Sequence, residues 1–180
     1  MQNTNDQFYI YDENLIKIGV KARRLVHTDG DWHKGIQLNI LWRDEILLQM
    51  RSDCVDIAKN LMDQSLATQL LIEDEEDEYK ALTRGLKEEL GVTPDLDEIK
   101  MLVSNQKIIK IYEYDSTLYN REFVTLFEWR LKEKRIFKPN STKVKQLIWM
   151  QLDEVKRIAQ CEPSLLTKTF YMWLTTYMGK

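Results

Sequence analysis

The order of apolar and polar positions divides the chain into strands, one marked helix, more strands and a helical end. Gln7–Tyr11 and Ile16–Val20 predict short strands around a turn at Asp12, Glu13 and Asn14. Gly35–Trp42 (GIQLNILW) alternates in the manner of a half-buried strand, and Glu45–Arg51 (EILLQMR) follows after only Arg43 and Asp44, which predicts a hairpin. Residues 52–66 show no regular pattern, and Leu66–Ile72 reads as a further strand. The period then changes. Between Glu76 and Leu90 the apolar residues Tyr79, Leu82, Leu86 and Leu90 are spaced by 3, 4 and 4, one face of a helix. Gly91 supplies its stop, and Pro94 follows. Ile108–Tyr114, Glu122–Leu131 and Leu147–Gln151 read as strands; Leu152–Gln160 and Pro163–Met178 read as helices, with Pro163 suited to a first turn. Strands and helices mixed in this order predict an α/β (α+β) sandwich.

Composition narrows the classes. Apolar residues make up 43% of 180, and Gly and Pro are few, which excludes collagen-like and disordered chains and allows one sizeable core. Neither a repeat nor a linker divides the sequence, so 1–180 reads as a single domain. Lys and Arg (26) against Asp and Glu (29) give a net charge of −3, which argues against a general nucleic-acid binder. Cys54 and Cys161 form no CxxC pair, and with only two histidines a structural zinc site is not expected. The polar, acidic start lacks a secretory h-region and no apolar run is long enough to span a membrane, so the expectation is a cytoplasmic protein.

The most informative segment is Arg84-Gly85-Leu86-Lys87-Glu88-Glu89-Leu90-Gly91-Val92. On a helix Arg84 and Glu88 stand one turn apart, and Leu82, Leu86 and Leu90 anchor the opposite face. Glu88 and Glu89 are then held rigidly toward a cleft. Adjacent carboxylates on a rigid element suit a hard cation such as Mg2+, which takes oxygen ligands and substrate phosphates.

These residues resemble the end of the Nudix box, G-x5-E-x7-R-E-U-x-E-E-x-G-U, where U is a bulky aliphatic residue. Arg84, Leu86, Glu88, Glu89, Gly91 and Val92 match it. In the same register Glu76 matches the upstream Glu, Leu70 stands where the box opens with Gly, and Gly85 stands where it carries a Glu. The segment from Ile10 to Ser52 resembles the opening of the Nudix branch that contains type I isopentenyl-diphosphate isomerases, and WMQLDEV resembles the step near the end of that domain. The resemblance implies a Nudix-like α/β/α sandwich with a mixed sheet. It implies a hydrolase, dependent on Mg2+ or Mn2+, acting on a nucleoside diphosphate-linked or related diphosphate, with activity weakened by the missing Glu. Glu88 and Glu89 would hold metal and act in catalysis, Arg84 would orient them, and Glu76 and Glu122 would assist as metal ligands. Two other readings stay open: an isopentenyl-diphosphate isomerase-like enzyme, and a non-catalytic ligand-binding module of the same fold.

Within the resemblance, the isomerases bind metal with two His in a turn like HTDGDWH, which places His27 and His33 under consideration; their plain reading is structural. The isomerase Cys-Gly-His segment falls near Ala67-Thr68-Gln69, so its thiol and imidazole are missing. A further acid expected before the last strand is replaced by Lys143. Arg23, Arg24 and Arg51 are the candidates for holding a diphosphate, since guanidinium matches phosphate oxygens in bidentate fashion. The basic stretch Arg130–Lys145 suits polyphosphate or RNA, or is a solvated loop. In the tail, Phe170, Trp173, Leu174 and Tyr177 share a helix face that reads as core, with a homodimer face or a base-stacking platform as the alternatives. Gly85 reads as a lesion in the chemistry, as a loss made good by a carboxylate of the acidic run Glu73–Glu78 (otherwise a solvated helix start), or as close packing or drift. On the first reading, Gly85→Glu would tighten metal binding and also favour the helix. The partner implied throughout is a small-molecule diphosphate.

Overall fold

The structure, a computed structural model, describes residues 6–55, 58–111 and 119–178. Its centre is β3 (Trp32–Trp42), longer than the alternating stretch predicted because it begins in the HTDGDWH turn. One side of β3 runs parallel to β8 (Tyr119–Arg130) from Trp32 to Leu41. Its other side pairs antiparallel with β6 (Leu66–Gln69) at Gly35–Leu38 and with β4 (Glu45–Arg51) at Ile40–Trp42. The antiparallel ribbon of β1 (Gln7–Tyr11) and β2 (Lys17–Ala22) joins at Tyr11, while β5 (Met62–Asp63) and β9 (Val144–Gln151) extend β4 and β7 (Ile99–Ile111) borders β8. The sheet is mixed, as expected.

Alternation along β3 serves two cores. Ile36, Leu38 and Ile40 face α2 (Glu78–Gly85) and the wide π-helical turn Leu86–Leu90 that continues it, packing with Leu47, Phe127 and Trp129 on Ala81, Leu82, Leu86 and Leu90. Leu41, Ile46, Leu48 and Leu126 cover the other face with α3 (Leu152–Cys161) and α4 (Lys168–Trp173). Phe170, Trp173 and Leu174 are buried there, so these tail aromatics are core; the side chain of Tyr177 lies outside the described residues.

Three differences from the sequence reading have physical causes. A short helix, α1 (Arg23–Asp29), which the apolar pattern does not predict, runs into the HTDGDWH segment; Gly30 ends it in the left-handed conformation. The main helix starts two residues later than predicted, because Asp77 caps it by accepting hydrogen bonds from the Tyr79 and Lys80 amides at 2.9 and 3.1 Å. Strand β7 begins at Ile99, nine residues before the predicted start. Its register against β8 shifts between Met101 and Gln106, and Asn105 has a positive φ, so strict alternation is broken where the sequence reads as irregular. The predicted end of that strand at 112–114 lies outside the described residues. No helix among the described residues is long and apolar enough to cross a membrane.

Candidate active site

A cleft of about 510 Å³ opens between α2 with its π-turn, the floor strands β3, β6 and β8, and the loop before β9. The box residues reach it through the π-turn. Leu86 and Leu90 are fully buried and pin the turn to the sheet, which leaves Glu88 partly exposed and Glu89 buried on the cleft side. Gly91 closes the turn with φ +66°. A Cβ there would also stand 2.9 Å from the Lys138 carbonyl oxygen, so glycine is required twice over.

The loop before β9 is fastened to this turn through main-chain bonds. The Lys138 amide donates to the Leu90 carbonyl and the Asn140 amide to the Glu89 carbonyl, both at 2.9 Å. Lys143 is thereby carried to the carboxylates, its Nζ lying 3.1 Å from Glu88 Oε2 and 3.4 Å from Glu89 Oε1. Burial raises the pKa of the Glu89 carboxyl, outweighing the lowering pull of Lys143 and Arg51.

Arg84 lines the cleft but is held by structure. Its Nε and Nη2 grip both oxygens of the buried Asp74 at 3.0 and 2.8 Å, and Nη2 also donates to the Gln69 carbonyl. Its Nη1 stands 3.6 Å from Glu88 Oε1. Asp74, in the acidic run from Glu73 to Glu78, is 3% exposed and also accepts from the Leu71 amide. Ten residues separate it from Arg84, a spacing with no helical meaning, so no sequence signal joins them.

The other candidates divide. Glu122 on β8 is buried in the cleft floor beside Gly35, whose missing Cβ makes room for the carboxyl group. Arg23 and Arg51 line the cleft, joined by Lys168 from α4; Arg24 is exposed and does not line it. Glu76 lies elsewhere. Its carboxylate accepts from the Tyr11 hydroxyl at 2.8 Å and from Lys17 at 2.6 Å, tying the β1–β2 ribbon to the start of the helix. In the basic stretch, Lys134, Arg135 and Lys145 pair with Glu45, Glu98 and Asp53.

His33 is fully buried. Its Nδ1 lies 3.1 Å from the Asp31 carbonyl, and its Nε2 lies 3.7 Å from Glu122 Oε1 without a hydrogen bond. His27 packs against it, ring centroids 5.0 Å apart, with Nδ1 2.8 Å from the Arg23 carbonyl. Burial, and then the neighbouring His33, lower the His27 pKa from its ordinary 6.5 to about 4. The unfolded chain therefore binds a proton here that the native state refuses between about pH 6.5 and 4. Stability should fall as pH drops through that window, and His27→Gln should flatten this part of a Tm-against-pH curve.

A divalent cation can be tested against these groups. Among the described residues no cluster of three or more His, Cys, Asp and Glu side chains forms a metal cage. Glu88 and Glu89 nevertheless offer hard oxygens from adjacent positions, and a positive group, the Lys143 ammonium, already sits against both. That donor set fits Mg2+ or Mn2+, which take one or two carboxylates and complete their shell with water and substrate phosphate. The ion would compete with Lys143 for this place.

The model of the NUDIX domain matches residues 36–168. The chain belongs to the NUDIX domain family. An uncharacterized Nudix hydrolase of Clostridium acetobutylicum is 28% identical over 153 residues, covering 82% of this chain and 71% of the relative. Isopentenyl-diphosphate Delta-isomerase 1 of Aromatoleum aromaticum is 30% identical over 93 residues, 51% of each protein. The crystal structure of DR0079 from Deinococcus radiodurans superposes with a TM-score of 0.64 at 17% identity, over 87% of this chain and 91% of the other, a likeness of Nudix fold.

Gly85 is where this Nudix helix departs most from the box, and its surroundings give a reason. A Cβ at Gly85 would lie 2.8 Å from Thr68 Cγ2 and 3.2 Å from Leu66 Cδ2. The helix packs on β6 so closely that the missing side chain is a packing requirement. The expectation that a Glu here favours the helix is corrected on that ground. Leu70, at the place of the opening Gly, fills the first core instead.

Proposed function

We propose that this Nudix cleft hydrolyses a diphosphate linkage in a nucleotide-like small molecule, such as a nucleoside diphosphate joined to a second moiety, with Mg2+ or Mn2+. The observation that carries the reading is one cleft with adjacent carboxylates, Glu88 and Glu89, on one wall and Arg23, Arg51 and Lys168 also lining it. Glu88 and Glu89 hold the cation, and Glu122 adds a carboxylate from the floor. Bound there, the cation supplies neutralisation of charge gathering on the phosphoryl oxygens in the transition state. Arg84, locked by Asp74, keeps Glu88 in place. Arg23 and Arg51 bind and orient the diphosphate. A water oxygen bonds to one phosphorus as the bridging P–O bond breaks, and the water's protons pass to the leaving phosphate oxygen and to solvent, giving two phosphomonoesters.

The isomerase reading is weaker on chemistry. The position of its thiol is Ala67, and Cys54 and Cys161 are exposed and do not line the cleft. The test is a panel of nucleotide sugars, dinucleotides and prenyl diphosphates with Mg2+, Mn2+ or EDTA. We expect metal-dependent release of a nucleoside monophosphate from at least one member. An allylic product would favour the isomerase, and ligand-induced thermal stabilisation without turnover would favour a binding module.

A further inference from the structure

Lys143 stands where the family resemblance leads one to expect an acid, and its ammonium bridges the two box carboxylates at 3.1 and 3.4 Å. Its backbone is fixed. The Lys143 amide donates to the Asn140 carbonyl at 2.9 Å and its own carbonyl accepts from the Ser52 amide at 3.0 Å, while Asn140 is bonded to Glu89. The side chain above this anchor is long, unbranched and partly exposed, so it can change partners without moving the loop. Both its present partners and the groups suited to a diphosphate line the same cleft.

We propose that Lys143 is a tethered cation that exchanges partners: in the free protein it neutralises Glu88 and Glu89, and when a divalent ion takes those carboxylates it turns to the ligand's phosphate. The inference rests on the hydrolase reading for the identity of both ligands. Its physical content is linkage. The ion must displace the ammonium, so Lys143 weakens metal binding to the free protein. Once displaced, the ammonium adds an anion contact, so metal and diphosphate each strengthen the other's binding, reciprocally. A neutral side chain removes both effects, with opposite signs.

The experiment uses no turnover. Mn2+ is titrated into the full chain by electron paramagnetic resonance, alone and with inorganic pyrophosphate, for wild type, Lys143→Met and Lys143→Arg, each checked by thermal melting. Coupling of this kind is ordinarily about 5- to 150-fold. Lys143→Met should bind Mn2+ alone more tightly than wild type, by about tenfold, and pyrophosphate should enhance Mn2+ binding less than in wild type. Lys143→Arg, which keeps the charge, should stay near wild type in both. Equal or weaker Mn2+ binding by Lys143→Met, or unchanged enhancement by pyrophosphate, overturns the exchange. Absence of Mn2+ binding by every variant at millimolar concentration overturns the metal reading on which it rests, and with it the exchange.

Discussion

Exchanging Glu88 and Glu89 together for Gln should abolish Mn2+ binding and lower diphosphate hydrolysis by at least about 10²-fold. An amide keeps the shape of the carboxyl group and removes its charge, so the change reports on cation binding rather than packing. The effect on the fold should be small and can run the other way. Burial raises the Glu89 pKa, so ionising this group at neutral pH works against the native state. Lys143 and Arg51 offset only part of that. Glu89→Gln alone should therefore melt at the wild-type temperature or above it at pH 7 while losing metal. A titration in which the double variant binds Mn2+ as wild type does sinks the assignment, and calorimetry separates the expected loss of binding from unfolding.

Gly85→Ala should lower stability by about 1–3 kcal/mol, the usual range for overpacking a tight interior. Two terms compete. Alanine gains roughly 1 kcal/mol over glycine as a helix former. Against it stands the 2.8 Å approach to Thr68 Cγ2, an atom on a stiff β-branched side chain of a buried strand, with Leu66 close behind. The steric term should win. In a chain of 180 residues each kcal/mol moves Tm by roughly 2–4 °C. Gly85→Glu should cost more than Gly85→Ala, because its carboxylate also joins Glu88 and Glu89. The diagnostic is the pair: in a Thr68→Gly background, Gly85→Ala should be nearly neutral or stabilising, with a coupling energy of 0.5 kcal/mol or more. If Gly85→Ala alone stabilises the protein, the packing explanation fails and the chemical lesion returns as the better account of this glycine.

What the sequence disclosed follows from the range of its signals. Local periodicity placed the β3–β4 hairpin and the Leu82, Leu86, Leu90 face, because burial acts on side chains a fixed number of residues apart. It misplaced the start of β7, where bulges break the alternation, and overlooked α1, which is seven residues long and has only Val26 and His27 buried. In the site, the box register brought Arg84, Glu88 and Glu89 to the cleft, and Glu122, Arg23 and Arg51 also line it. The same register pointed to Glu76, which instead fastens the β1–β2 ribbon. Three partners had no local trace: Asp74 under Arg84, Thr68 against Gly85, and Lys143 on the carboxylates. Each depends on the tertiary juxtaposition of segments separated in sequence. Lys143 came nearest to being legible, since a basic residue at an expected acid already suggests a counter-charge.

The loop before β9 grips the π-turn with backbone atoms alone at Leu90–Lys138 and Glu89–Asn140. These two bonds do not depend on which side chain position 143 carries. Charge at position 143 can therefore change without loosening those bonds, and a lysine and a glutamate codon differ by a single base. Drift across that one base would alter the cleft's affinity for cations and anions in opposite directions while the scaffold stayed intact, a short path by which one fold can wander between catalysis and mere capture of its ligand.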